Sequence, residues 1–160
     1  MTSTVPTCLA VVRIRGLVNV RRDMKETMNM LHLARPNNAT LIPSIPQTLG
    51  MLQLAKDHIT WGEVNKDTLT RMLEDRAESA NGEKLDSEKI QSLGFTSASE
   101  LASALLQDSV RLTRLKGISP VFRLHPPRKG FKRSVKRGFS EGGETGYRGE
   151  QINALLERMF

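Results

Sequence analysis

Residues 109–140 hold ten Lys and Arg (Arg111, Arg114, Lys116, Arg123, Arg128, Lys129, Lys132, Arg133, Lys136, Arg137) and not one Asp or Glu. The densest part, FRLHPPRKGFKRSVKRGF from Phe122 to Phe139, carries two prolines and two glycines. Those residues break regular structure, so the positive charge belongs on an extended arm or loop rather than on a helix face. Such an arm repels itself when alone. A polyanion that neutralises it is the best explanation, and nucleic-acid phosphate is the obvious one. A solvated, disordered tail or a nuclear-import signal is the blander alternative for a basic run.

Charge comes in blocks. Residues 1–56 carry +5, residues 57–108 carry −6, residues 109–140 carry +10 and residues 141–160 carry −2, which gives the chain its net +7. A sequence pI near 10 favours a nucleic-acid ligand. The acidic block argues against a protein that coats nucleic acid uniformly. It points instead to one part buried in polyanion and another that faces solvent or a neighbouring protein.

The chain has 160 residues, enough for one domain of average size or for a small core with a comparable appendage. It has only seven aromatics (five Phe, one Trp, one Tyr), so the core must rest on Leu, Ile, Val, Met and Ala. Scarce aromatics also weaken any extended base-stacking platform. Cys8 is the only cysteine, which excludes an intramolecular disulfide and a cysteine zinc site and fits a reducing compartment. The start, MTSTVPTCLAVVRIRG, has no basic stretch before its apolar run. That run, Cys8 to Val12, is too short for a signal peptide or a membrane span, so the expected location is the cytosol.

Leu9 to Arg15 reads as a strand, with Ala10, Val12 and Ile14 on one face. Leu9, Val11, Arg13 and Arg15 lie on the other face, which turns basic towards its end. A helix over Arg21–Leu33, with Met24, Met28 and Leu31 inward, and a short strand over Ala39–Pro43 follow. A second helix opens on Pro46, with Leu49, Leu52 and Ala55 as its apolar stripe. Ile59 and Trp61 share one face of a third strand that Gly62 is expected to end. Strand, helix, strand, helix, strand in so few residues predicts a compact α+β unit over 8–64, with residues 65–160 as an extension.

In that extension Asn65 can cap a helix with Leu69, Met72 and Leu73 inward. Asn81-Gly82 is a turn pair, and Asp86–Leu93 reads as a short helix closed by Gly94. Ser97-Ala98-Ser99-Glu100 is a capping box opening a helix with Leu101, Ala104 and Leu105 inward. Val121 to His125 alternates as a strand within the basic block (109–140), the densest part of the arm follows it, and a glycine-rich stretch (141–149) comes next. The last helix places Ile152, Leu155, Leu156 and Met159 on one face.

The glycine-rich EGGETGYRG lacks the Gly-Lys-Ser/Thr ending and the GxGxxG spacing of nucleotide-binding loops. It reads as a tight turn that lets a partner's backbone approach. His32, His58 and His125 are too scattered for a metal site. His125 opens the basic arm and can donate to a phosphate or stack on a base. No local signature joins a nucleophile to a base and an orienting group, so no catalytic residue is assigned. Glu74 and Asp75 sit beside Arg71 and Arg76, where pairing on a solvated helix face explains them. Phe131, Phe139 and Tyr147 are interleaved with Lys and Arg. They can insert into RNA or anchor the arm to the protein, and the sequence leaves both open.

VVRIRGLVN (Val11–Asn19), the Gly50-Met51 pair, ITWGEVN (Ile59–Asn65), FRLHPPRKGF (Phe122–Phe131) and EGGETGYRGEQINALLERM (Glu141–Met159) resemble, in order, the large-subunit ribosomal protein L-thirty family. The likeness is to its long archaeal and eukaryotic branch, whose eukaryotic members are also called L-seven. It covers nearly the whole chain. It implies a ferredoxin-like β-α-β-α-β core followed by a branch-specific extension, and a structural, non-catalytic role without cofactor. It further implies binding to large-subunit rRNA near 5S rRNA, beside neighbouring ribosomal proteins, at one copy per large subunit, in the cytoplasm and away from membranes.

The candidate RNA-binding residues are Arg13 and Arg15 at the strand end, Arg21 and Arg22 beyond it, Arg123, His125, Arg128, Lys129, Phe131, Lys132, Arg133, Lys136 and Arg137 of the arm, and Tyr147 and Arg148. Two departures stand out. Leu49 precedes the Gly-Met pair where many relatives have Arg. Pro127-Arg128-Lys129-Gly130 stands where relatives often have Pro-Arg-Gly-Gly, so Lys129 adds charge and removes a flexible position.

Two further readings compete. One is a free RNA-binding or ribosome-assembly factor of the same fold. The other is a small-molecule-binding or catalytic α+β domain with a basic tail, which would need a pocket of converging polar groups that the sequence does not suggest.

Overall fold

The computed structural model describes residues 8–160; the MTSTVPT segment, on which the expected lack of a targeting signal rests in part, lies outside the described residues. The first half runs β1 (Cys8–Arg13), α1 (Arg22–Met30), β2 (Asn38–Pro43), α2 (Pro46–Leu54) and β3 (Ile59–Glu63). β1 is central and antiparallel to both neighbours: Val11 stands opposite Thr40 on one side and Trp61 on the other. The second half supplies α3 (Lys66–Arg76), α4 (Ser87–Ser92), α5 (Ala98–Leu106), β4 (Val121–Arg123), β5 (Ser134–Gly138), β6 (Gly143–Tyr147) and α6 (Ile152–Met159). Its strands extend the same sheet at both edges, in the order β4-β2-β1-β3-β6-β5. The fold is α+β with a ferredoxin-like core, as the sequence leads one to expect.

Period-2 alternation in β1 feeds two cores, one on each face of the sheet. Leu9 and Val11 pack with Met24 and Met28 of α1, Leu52 of α2, and Trp61. Ala10 and Val12 pack on the other face with α3, α5 and α6. Ile152, Leu155, Leu156 and Met159 are all buried, so α6 lays its whole apolar stripe on the sheet. Each such side chain stabilises the fold by roughly 1.5–3 kcal/mol through area removed from water.

Local signals act as read. Asn65 Oδ1 accepts from the Thr68 N–H at 2.8 Å, capping α3. Gly82 and Gly94 take φ of +83° and +91° at the turn and helix end the sequence marks.

Several expectations need correction. Leu49 is 37% exposed, because a helix of nine residues turns only Leu52 fully inward. In α5 it is Ala102, not Ala104, that is fully buried. Ser97 caps α5, but the Glu100 carboxylate reaches back to the N–H of Thr96 at 2.7 Å rather than to that of Ser97. Gly62 lies inside β3 instead of ending it. The glycine-rich stretch is mostly strand β6, parallel to β3, rather than a tight turn.

Candidate nucleic-acid interface

The basic arm is held by its backbone and its few apolar side chains. β4 pairs with β2 at the sheet edge, with Phe122 opposite Ala39 and fully buried. The chain then passes the C-terminal end of α6. His125 N–H donates to the Met159 carbonyl (3.0 Å) and Arg128 N–H to the Arg158 carbonyl (2.9 Å). The Arg158 guanidinium donates back to the carbonyls of Arg128 (2.8 Å) and Gly130. A turn closes where Gly130 N–H meets the Pro127 carbonyl at 2.9 Å, with Lys129 at φ +63°. Phe131 packs against the core on the α3, α5 and α6 face. Proline and glycine therefore give a bent, non-helical path, and the backbone's own hydrogen bonds fix it.

β5 follows and pairs with β6 in parallel. Gly143 is required there, since a Cβ on it would fall 1.9 Å from the Arg137 carbonyl oxygen. One oxygen of the buried Glu144 accepts from the Arg133 N–H at 3.0 Å. The other carboxylate oxygen meets the Arg148 guanidinium at 2.8 Å. Arg148 also donates to Thr60 Oγ1 at 2.7 Å. Burial pulls the Arg148 pKa below its ordinary value, and Glu144 opposes that pull. The Phe139 ring lies 5.3 Å from the Arg133 guanidinium carbon and 5.1 Å from that of Arg148, within cation–π range.

This arrangement sorts the candidate residues. Arg128, Lys129, Lys132, Arg133, Lys136 and Arg137 are exposed, and among the described residues none has a carboxylate at ion-pair distance. His125 is exposed beside them. Arg123 is exposed but lies 3.8 Å from Glu78. Arg21 and Arg22 are exposed at the start of α1, paired with Asp23 and Glu26. Arg15 is half-buried and donates to the Asp57 carbonyl at 3.4 Å.

Three candidates point inward. Arg13 is 2% exposed, and its guanidinium donates to the carbonyls of Arg15 (2.8 Å), Leu33 (3.1 Å) and Ala34 (2.6 Å). It closes the loop after α1, whose last turn gives way to His32 at φ +61°. Arg148 is 8% exposed and committed to Glu144 and Thr60, and Phe131 is half-buried against the core. Strand alternation alone cannot separate a basic rim from a buried guanidinium, because two of the three carbonyls Arg13 satisfies, those of Leu33 and Ala34, lie far along the chain. Tyr147 stays half exposed at 53%, and its hydroxyl donates to Glu63 at 2.6 Å. Sequence reasoning missed Glu144, which joins the arm to β6, because a lone acidic residue in a glycine-rich stretch carries no signal of its own.

Cys8 is buried, and its thiol is pushed up to about 12 by desolvation and by Asp108. Among the described residues no group of three or more His, Cys, Asp or Glu could hold a metal ion. No described helix is long and apolar enough to cross a membrane.

A profile of the family described as Ribosomal protein L30p/L7e matches residues 9–59, from β1 to the first residue of β3. Whole-chain likeness extends further. The large ribosomal subunit protein uL30 of Korarchaeum cryptofilum is 47% identical over 153 residues, covering 95% of this chain and 94% of that protein. The protein of the same name in Nanoarchaeum equitans is 45% identical, covering 93% and 96%. That of Staphylothermus marinus is 44% identical, covering 97% and 99%.

Proposed function

The chain belongs to the ribosomal protein L30p/L7e family, and we propose that it is a structural constituent of the large ribosomal subunit that binds large-subunit rRNA through its basic arm. Membership of that family makes it a structural protein and not an enzyme. The finer reading is one copy per large subunit, close to 5S rRNA and beside neighbouring ribosomal proteins, in the cytoplasm.

One observation carries the RNA reading. Six exposed cations between Arg128 and Arg137 have no acidic partner among the described residues, although the backbone beneath them is anchored to α6, β6 and the core. A folded protein that holds like charges together without compensation expects the compensation from outside. Arg gives bidentate contacts to phosphate, and Lys serves as a mobile point charge. Contacts of this kind fix position more than they read sequence, so RNA shape supplies the specificity. The proposed contact set is Arg123, His125, Arg128, Lys129, Lys132, Arg133, Lys136 and Arg137, joined by Arg15, Arg21 and Arg22. Arg13, Phe131 and Arg148 act from within, holding the backbone that carries this set.

Six phosphate contacts imply a loss of roughly a thousandfold in affinity for large-subunit rRNA between about 50 and 200 mM salt. A flat salt titration of the purified chain overturns the RNA reading. Sucrose-gradient fractionation of lysate at high salt tests the rest. One copy in every large subunit supports the structural role. Presence only in precursor fractions replaces it with an assembly factor of the same fold.

A further inference from the structure

A groove of about 330 Å³ lies between the end of α2 and the connection from β5 to β6, with Trp61 at its floor. That is within the size range of small-ligand clefts, roughly 300–1,000 Å³. We infer that this groove receives an unpaired guanine base of the bound RNA, stacked on Tyr147 and read by the carboxylates of Asp57 and Glu141. The inference rests on the RNA reading above and adds to it a position where a base, not a phosphate, is recognised.

The platform comes first. Tyr147 and Trp61 are register partners on β6 and β3, so their side chains share a face, with ring centroids 6.4 Å apart at 47°. Trp61 is 3% exposed and belongs to the core, whereas Tyr147 is 53% exposed. The Tyr147 hydroxyl is already committed to Glu63 at 2.6 Å, which fixes the ring in place. An aromatic face that is both open and immobilised stacks a base with little further loss of side-chain entropy. Phe139 lines the same groove but is occupied by the guanidiniums of Arg133 and Arg148.

The lining decides what kind of group enters. Asp57 and Glu141 are exposed in the groove, and among the described residues neither forms an ion pair. Two free carboxylates repel a phosphate and attract hydrogen-bond donors. The Watson–Crick edge of guanine presents two parallel donors, N1–H and the N2 amine, that match the two oxygens of one carboxylate. Adenine presents an acceptor at N1, and uracil a single donor between two carbonyls. The flanking cations complete the site: Lys56 lines the groove, and Lys136 and Arg137 precede its Gly138. They suit the phosphates on either side of an extruded nucleotide, while the base enters between them.

Trp61 is the only tryptophan, so its emission reports on the neighbouring Tyr147 ring. The test titrates the full chain with guanosine, inosine and adenosine, and with the RNA pentamers AAGAA, AAIAA (I, inosine) and AAAAA, following Trp61 emission and affinity at several salt concentrations. Guanosine should change the emission, and AAGAA should bind about tenfold tighter than the other two pentamers. Asp57→Asn combined with Glu141→Gln should bring that ratio close to one at an unchanged melting temperature, and Tyr147→Leu should remove the guanosine response. Equal binding of the three pentamers with silent Trp61 emission and a steep salt dependence overturns the guanine site and leaves the arm intact. A guanosine response with a flat salt dependence supports the groove and overturns the arm, since guanosine carries no phosphate. An oligoarginine peptide that changes the emission where guanosine does not overturns the inference in favour of a basic protein segment.

Discussion

The Arg148 guanidinium meets the Glu144 carboxylate at 2.8 Å, with only 5% and 7% of the two side chains exposed. The pair is tied into a network: Arg148 donates to Thr60 on β3, Thr60 donates to the Gly146 carbonyl at 2.9 Å, and Glu144 accepts the Arg133 N–H. One buried carboxylate thus joins β3, β6 and the arm. Glu144→Ala leaves Arg148 charged and uncompensated inside the protein, which should cost about 3–5 kcal/mol in urea unfolding. Glu144→Leu with Arg148→Met removes both charges and should cost less than the single change. A Glu144→Ala variant as stable as the parent would show that the pair does not hold the arm.

Gly62 shows how close β3 and the start of α6 come. A Cβ on it would fall 1.9 Å from the Gly149 carbonyl oxygen, a backbone atom that cannot turn aside. Gly62→Ala should therefore destabilise the protein by about 3 kcal/mol through overpacking. Gly50→Ala is the control, because among the described residues nothing beyond its own helix backbone and chain neighbours lies within 4 Å of the position its Cβ would take, and helix α2 favours alanine. Equal midpoints for the two variants in chemical unfolding would refute the close approach.

That glycine also marks what was legible in the sequence. Helices α3 and α6 follow from local information, a capping Asn65 and an apolar period of 3.6. The α+β class follows from the order of those local signals. A glycine in a strand weakens it locally, so Gly62 reads in sequence as a strand end. Its purpose is a contact with Gly149, far along the chain. Arg13 is the same case: alternation puts it on a basic face, yet two of its three hydrogen bonds reach the loop after α1. The glycine-rich stretch became β6 because β3 offered a free edge, which composition cannot foresee. The arm's charge was legible at once. The part it plays in the sheet, through β4 and β5, was not, because parallel pairing of β5 with β6 involves no local signal.

The arm's side chains and its backbone have separate tasks. Arg128 and Lys132 contribute no side-chain hydrogen bond or ion pair among the described residues, whereas the backbone of Arg128 makes three hydrogen bonds with Arg158. Arg128→Ala with Lys132→Ala should leave the melting temperature unchanged, weaken rRNA binding and lower the slope of log affinity against log salt by about 1.4–1.8. Arg158→Ala should show the reverse priority, with loss of stability first. A melting temperature that collapses in the first variant would make those side chains structural.

Lys129 occupies the left-handed region at φ +63°, where a Cβ costs roughly 1–2 kcal/mol and glycine does not pay it. Lys129 thus takes a glycine-like backbone and adds a charge at the tip of the turn. Lys129→Gly should raise stability by about 1 kcal/mol or less, since the unfolded chain also gains freedom. The same change should weaken rRNA binding at low salt. Opposite signs in the two assays are the expected result, and a loss of stability would show that the Lys129 side chain packs in place.

His58 links the strand end to pH. It is 9% exposed, its Nδ1 has no hydrogen-bond partner among the described residues, and its carbonyl accepts from the N–H groups of Ile14 (3.0 Å) and Arg15 (3.3 Å). Desolvation first, then Arg15 and more weakly Arg13, hold its pKa below the ordinary 6.5; Asp57 and the backbone of Gly16 pull the other way without reversing it. Above that ordinary value the imidazole is neutral in both folded and unfolded chains, and the full stability is present. As pH falls through 6.5 the unfolded chain takes up the proton first, so stability is lost, and the loss continues down to the folded pKa. The urea midpoint should therefore fall between about pH 7.5 and 5.5, and His58→Gln should flatten that fall. Because the neighbouring Arg15 is in the proposed RNA contact set and shares the field of His58, protonation that loosens the β1 end should weaken rRNA binding over the same interval. Parallel pH curves for the parent and His58→Gln would place the titration elsewhere.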